Sequence, residues 1–394
     1  MKPTLLVLAL SASLSLLSAP AHAQGAAPAA ASAPAAATYA TVATHYAALV
    51  HANYSDTLAA AQEMQTAIKA FVAAPSADGL AAARKAWLGA REFYGQTEAF
   101  RFYGGPIDDD KGPEGQINAW PLDEAYVDYV QGKPKAGLIN DAKFKITKTN
   151  LAKFNERGGE ENISSGWHAI EFLLWGQDLS ETGPGNRSFE DYVDGKTPNA
   201  DRRRQFLTVA TELLVDDLNF LVKAWAPSQK NYRARFEKGG KESVRKIIVG
   251  LGSLSRGELS GERMEVALNS QDQEDEHSCF SDNTHRDIVT NATGIQNVWL
   301  GQYKKRDGST LQGPGVRDLV AAKKADLAEK TTTQIAASVA GAEAIPAPFD
   351  RALAKGAAGR PAVEKTVASL VAQSKLLVES ASAVGIAKLT LVEP

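Results

Sequence analysis

The sequence predicts an all-α protein built as two packed helical bundles of the four-helix type. Three observations carry this. Apolar residues recur at three- and four-residue steps through most of the chain, the repeat of a helix with one buried face. No segment alternates apolar and polar residues as a half-buried strand does, and no strand–helix–strand unit appears. Clusters of Gly, Pro, Asn and Asp interrupt the helical texture, and the richest spans residues 180–200. Roughly four main helices precede that connection and four follow it, which places the bundles at 38–190 and 191–394.

The chain has 394 residues, of which 44% are hydrophobic and 23% charged, enough to bury sizeable cores. It opens with Lys2, an apolar run from Leu5 to Leu17, and Ala21-His22-Ala23. That layout is a secretory leader over residues 1–23, cleaved after Ala23. The run is too short to span a bilayer. Residues 24–37 are nearly all Ala and Pro and read as a semi-rigid tether. The expected address is the periplasm or the outer face of a bacterial cell. The formal net charge is −3, and losing the leader makes the chain one unit more acidic, so nucleic-acid binding is not expected. Cys279 is the sole cysteine, which excludes an intrachain disulfide.

The elements follow in order. Val42, Tyr46, Leu49, Tyr54, Leu58, Ala61, Met64, Ile68 and Phe71 trace a helix over 38–71. A second runs over 76–103 and stops at Gly104-Gly105-Pro106. Residues 104–120 read as a loop; its Asp108-Asp109-Asp110 is either a solvated turn or a cation site. Pro121 is placed to open a helix, and another is expected over 139–155. Ser164 or Ser165 opens a short apolar helix that Gly176 closes. Beyond the connection, helices are expected over 201–226 and 241–254, with helical texture at 264–268. Ile288, Ala292, Ile295 and Trp299 mark the next, capped by Ser281 or Asp282. The tail supplies 316–340 and 361–383.

The short apolar helix, Gly166-Trp167-His168-Ala169-Ile170-Glu171-Phe172-Leu173-Leu174-Trp175, carries the chemistry. A helix apolar all round is buried. His168 and Glu171, three residues apart, share one face of it. An imidazole and a carboxylate buried there need partners: each other, other side chains, water or a metal. Near a helix start the dipole disfavours an imidazolium and favours a carboxylate, which is the protonation state a metal requires. The plain alternative is a His–Glu hydrogen bond inside a core. Elsewhere, Arg91, Glu98 and Arg101 sit in aromatic company with Trp87, Tyr94 and Phe100. Residues 273–287 gather Asp275, Glu276, His277, Cys279, Asp282, His285, Arg286 and Asp287. His285 lies one turn before Ile288 on the inward face, which favours it over His277.

Gly166-Trp167-His168-Ala169-Ile170-Glu171 resembles the G-x-H-x-x-E motif of the imelysin family. Trp87 to Arg101, the Ala119-Trp120-Pro121 piece and residues 274–302 resemble it as well, so the likeness covers most of the chain after the tether. The resemblance implies two α-helical domains related by pseudo-symmetry. It also implies a role among imelysin-like peptidases, iron-regulated proteins and periplasmic components of iron uptake.

Three functions stand open. The first is a periplasmic metal-binding protein of iron acquisition. His168 and Glu171 supply two ligands, fewer than iron or zinc takes, so more must come from Glu98, Asp275, Glu276 or His285. Arg91, Arg101, Asp282 and Arg286 are further site candidates. Iron suits so carboxylate-rich a set, with zinc as the alternative, and a membrane-bound iron transporter or outer-membrane component is the expected partner. The second is an imelysin-type metallopeptidase with Glu171 as catalytic base. Zinc-peptidase helices carry a second histidine, whereas Phe172 follows Glu171 here. The third is a structural or partner-binding module in which the pair is a buried clamp.

Overall fold

The computed structural model describes residues 37–180 and 182–393. The leader, its cleavage after Ala23 and nearly all of the tether lie outside them. The longer helices are α1 (Tyr39–Ala73), α2 (Ala77–Thr97), α3 (Gly166–Trp175), α4 (Ala200–Trp225), α5 (Lys241–Ser253), α6 (Thr284–Leu300), α7 (Ala325–Glu343) and α8 (Arg360–Ala383). The fold is all-α, as the helical periodicity predicts. No helix among the described residues is long and apolar enough to cross a membrane.

Helix α1 is the spine. Thr38 caps it by accepting from Thr41 N–H, and its apolar stripe from Val42 to Phe71 is buried apart from the half-buried Leu58. It packs on α2 and on α4, so its contacts span the expected boundary at 190/191. Helix α2 also packs on α6, which in turn meets α7, and α7 pairs with α8. The buried apolar side chains of all these helices belong to one cluster.

Several elements differ from expectation. The helix expected over 139–155 is confined to Lys148–Phe154, capped by Thr147. Pro121 opens no helix; Asp123 caps a single turn, Glu124–Val127. The expected loop 104–120 contains the short helix Glu114–Asn118. The helix over 241–254 does not stop: α5 continues through a wide π-helical segment, Leu254–Glu265, into Val266–Ser270. The tail helix 316–340 is two helices, Val316–Ala321 and α7. An antiparallel pair, Gln302–Lys304 with Thr310–Gln312, escapes the periodicity test because three residues are too few to alternate visibly.

Candidate functional site

Helix α3 is buried on every side, as its sequence requires. It packs on α2, α4 and Glu114–Asn118. Gly166 starts it at φ +81°, and a Cβ there would lie 2.4 Å from the Ile117 carbonyl oxygen. Only glycine tolerates both the backbone and the approach. Ser165 holds the N-cap position, but its hydroxyl donates to Gln116 O at 3.0 Å instead of capping the helix. Gly176 closes the helix at φ +75°.

His168 and Glu171 pair as their spacing predicts. Nδ1 lies 2.8 Å from Glu171 Oε2, and both side chains are buried. The other carboxylate oxygen, Oε1, accepts from Ser281 N–H at 3.0 Å and from Ser281 Oγ–H at 2.6 Å. Glu171 therefore has a donor on each oxygen. Burial pushes its carboxyl up, to about 8, against the Ser281 bonds that pull it down. Burial, helped by the Arg91 charge, holds the His168 imidazole well below the ordinary histidine value. The ring is neutral. When Glu171 is ionised and accepts from Nδ1–H, the lone pair is on Nε2, which is buried and has no hydrogen-bond partner.

A second imidazole stands beside the first. The ring centroids of His168 and His277 are 4.7 Å apart, inclined at 67°. His277 Nδ1 lies 2.8 Å from Asp287 Oδ2, while Asn118 Nδ2 lies 3.3 Å from its Nε2. Burial and the Arg263 charge hold His277 well below the usual value. Burial alone would raise the Asp287 carboxyl; Arg91, 3.0 Å away, and the bond to His277 outweigh it and hold it well below the usual range. Asp287 Oδ2 also accepts from Ser278 Oγ–H at 2.5 Å. Arg91 bonds Asn118 Oδ1 at 2.7 Å and lies over the rings of Trp87, Tyr94 and Trp167. The site thus holds two carboxylate–imidazole pairs, one from each half of the sequence.

His168 and His277 line a narrow cleft of about 10 Å³ with Trp120, Glu274, Glu276, Cys279 and Phe280. That is room for about one water or one ion. Glu276 is buried, and its Oε1 also lacks a partner. Burial, reinforced by Asp350, raises its carboxyl well above the usual range. Burial likewise pushes up the Cys279 thiol, which makes it a poor nucleophile.

Other expected members stand elsewhere. His285 does not join His168: it sits in the first turn of α6, part-buried, and its Nδ1 bonds back to Asp282 O at 3.1 Å. The face argument favoured His285, but the buried face of the first turn of α6 is formed by Thr284, Asp287 and Ile288, and the histidine beside His168 is His277. Glu98 is buried but engaged, at 2.6 Å from Arg101 and 2.8 Å from Arg263. Burial would raise it, yet the two guanidiniums hold it far below the usual range, so both of its charge partners are already protein cations. Arg101 also bridges Glu114 at 3.0 Å. Asp275 lines a different, acidic pocket with Glu160, Glu258 and Glu262. Asp282 adopts φ +56° and caps nothing by its side chain, and Arg286 pairs with Glu92 near the surface. Asp108 turns its carboxylate onto backbone N–H groups of its own loop, including Gly105 at 2.7 Å. Among the described residues, no three His, Cys, Asp or Glu side chains are placed to hold one metal ion together. The donors that fit a metal are His168 Nε2, backed by Glu171 as metal-bound histidines are by carboxylates, and Glu276 Oε1.

Comparison with known proteins follows the same lines. The family description imelysin matches residues 50–377. Iron-regulated protein A of Synechococcus elongatus is 28% identical over 314 residues, covering 77% of this chain and 74% of that protein. A crystal structure of an iron-regulated protein A precursor from Parabacteroides distasonis superposes with a TM-score of 0.68 at 18% identity, covering 88% of this chain and 96% of that one. An imelysin-like protein from Psychrobacter arcticum gives 0.61 at 16% identity, covering 87% and 93%. Both structures share the fold.

Proposed function

Since the chain belongs to the imelysin family, we propose that it is an extracytoplasmic metal-binding protein of iron acquisition, with its site at the His168 helix. One observation carries this reading: a buried imidazole whose Nε2 has no partner, held in orientation by a carboxylate, on the wall of a cleft sized for one ion. Leaving such an atom unpaired in a core costs on the order of 1–3 kcal/mol, so a ligand that takes the lone pair recovers it. The relative named iron-regulated protein A supports iron over zinc as the metal. His168 would ligate it, with Glu276 as a carboxylate within the same cleft; a bound cation would supply the positive charge that this wall lacks. The periplasmic address, and delivery to a membrane-bound transporter or outer-membrane component, rest on the leader of the sequence.

The peptidase reading is weaker. A general base needs a free carboxylate oxygen near the attacking water. Both oxygens of Glu171 are engaged, one by His168 and one by Ser281. The clamp reading leaves Nε2 of His168 unexplained.

Equilibrium titration with ferrous iron under anaerobic conditions tests the proposal. Wild-type protein binds one ion, and His168→Ala weakens binding at least tenfold while keeping the fold by circular dichroism. Equal affinity in the two proteins refutes it.

A further inference from the structure

We infer that a second cavity, at the C-terminal end of α3, binds a small aromatic carboxylate, with the Arg187 guanidinium as the group that receives its charge. This cavity shares no lining residue with the His168 cleft, so the inference stands apart from the metal-binding reading.

The space is of the right kind. It measures about 460 Å³, within the roughly 300–1,000 Å³ of clefts that take small organic ligands. Trp175 and Tyr129 supply ring surfaces, and Leu179, 66% exposed, supplies an apolar rim. Aromatic ligands pack well against such rings. Arg187 lines the cavity too, although it is buried.

One donor there is left over. Both ion pairs of Arg187, to Asp128 at 2.8 Å and to Asp191 at 3.1 Å, run through Nη1. Its Nε is buried and has no hydrogen-bond partner. A charged donor left unpaired in a protein is costly, so an acceptor that reaches it is favoured. With both ion pairs on Nη1, the Nε–Nη2 edge remains for a carboxylate, which that planar fork can hold by two parallel bonds. Gly176 stands against this atom: a Cβ there would lie 3.5 Å from Arg187 Nε. Glycine at this lining position leaves the guanidinium uncovered.

The surrounding charges admit an anion. The C-terminal end of a helix repels one, but the last carbonyls of α3 are already taken. Leu173 O accepts from Tyr192 Oη–H, Leu174 O from Arg84 Nε–H at 2.9 Å, and Trp175 O from Arg187 N–H at 2.7 Å. Arg84 lies 5.6 Å over the Trp175 ring and pairs with no carboxylate among the described residues, so its charge adds to that of the wall. Asp178 also lines the cavity, but its carboxylate is engaged, by Ser180 N–H at 2.9 Å and by the Gln273 amide.

The probe is 2-naphthoate, titrated calorimetrically into the mature wild-type chain beside its neutral counterpart 2-naphthamide. One naphthoate is expected to bind per chain, and the amide at least tenfold more weakly. Arg187 belongs to a buried ion-pair cluster and its loss can harm folding, so the site is located from the exposed rim. Leu179→Asp, which sets a negative charge there, is expected to weaken naphthoate binding at least threefold and leave thermal stability unchanged. In wild-type protein with nitrogen-labelled arginine, the Arg187 Nε–H resonance is expected to move in step with saturation. Equal binding of acid and amide overturns the anionic class of ligand. Naphthoate binding that ignores Leu179→Asp and leaves the Arg187 resonance in place puts the ligand elsewhere and overturns the site. No saturable binding of naphthoate up to about 10 mM overturns the inference as a whole.

Discussion

His168 has two ring nitrogens in different circumstances, and the function proposed here follows from that asymmetry. Nδ1 is held by Glu171, and Nε2 is free. In the proposed site Glu171 orients the ring, where the sequence suggested a ligand. Glu171→Gln keeps the shape but removes the negative charge that Glu171 would carry behind a metal-bound ring. We expect metal affinity to fall about 10- to 100-fold, the usual effect of losing such a partner. Calorimetric titration checks this, and unchanged affinity would count against the orienting role. The His168–Glu171 pair was legible in the sequence because both residues lie on one helix at a fixed spacing. His277 was not, because its standing depends on Asn118, Asp287 and Arg91, which come from three separate elements. Ser281 was read as a cap; its hydroxyl and N–H turn instead to a carboxylate 110 positions away in sequence.

At the scale of the element, helix α3 depends on its first residue. Gly166 combines a left-handed backbone with a close approach to the Ile117 carbonyl. Gly166→Ala is expected to cost about 1–3 kcal/mol through strain at that φ, and more through displacement of Glu114–Asn118. Thermal unfolding would show a lower midpoint. Because Asn118 belongs to the displaced segment, metal binding should weaken too. A variant as stable as wild type would mean that the backbone can relax there. Long helices with a clear apolar stripe, α1, α4 and α8, were readable to within a few residues. Residues 139–147 carry apolar side chains at suggestive spacing, yet the chain there is held by other bonds. Arg202 reaches back to the carbonyls of Leu138, Ile139, Asp141 and Phe144, which accounts for an irregular segment that periodicity cannot foresee.

At the scale of the molecule, residues 180–200 are more than a connection. Arg187, within them, bonds Asp128 at 2.8 Å, and Arg203 of α4 bonds the same carboxylate at 2.6 Å. All three side chains are buried. Removing one partner from such a cluster leaves charge without compensation. Asp128→Ala is expected to destabilise by about 3–5 kcal/mol, measured by chemical denaturation. The pH dependence has a definite sign. Burial alone would raise the Asp128 carboxyl, but Arg187 and Arg203 prevail and hold it below the ordinary 3.8. Its contribution is fully present above the unfolded value and is lost as pH falls from there through the folded one. Wild type should therefore lose stability below about pH 4 more steeply than Asp128→Asn. Parallel acid titrations of the two would count against this.

The central claim is that a metal ion binds at Nε2 of His168, and anomalous diffraction tests it most directly. Crystals grown anaerobically with ferrous iron would be measured on both sides of the iron absorption edge. The account predicts a peak at bonding distance from His168 Nε2, within the cleft shared with His277 and Glu276. Ordered crystals whose iron lies only at surface carboxylates, with that cleft empty, would contradict it.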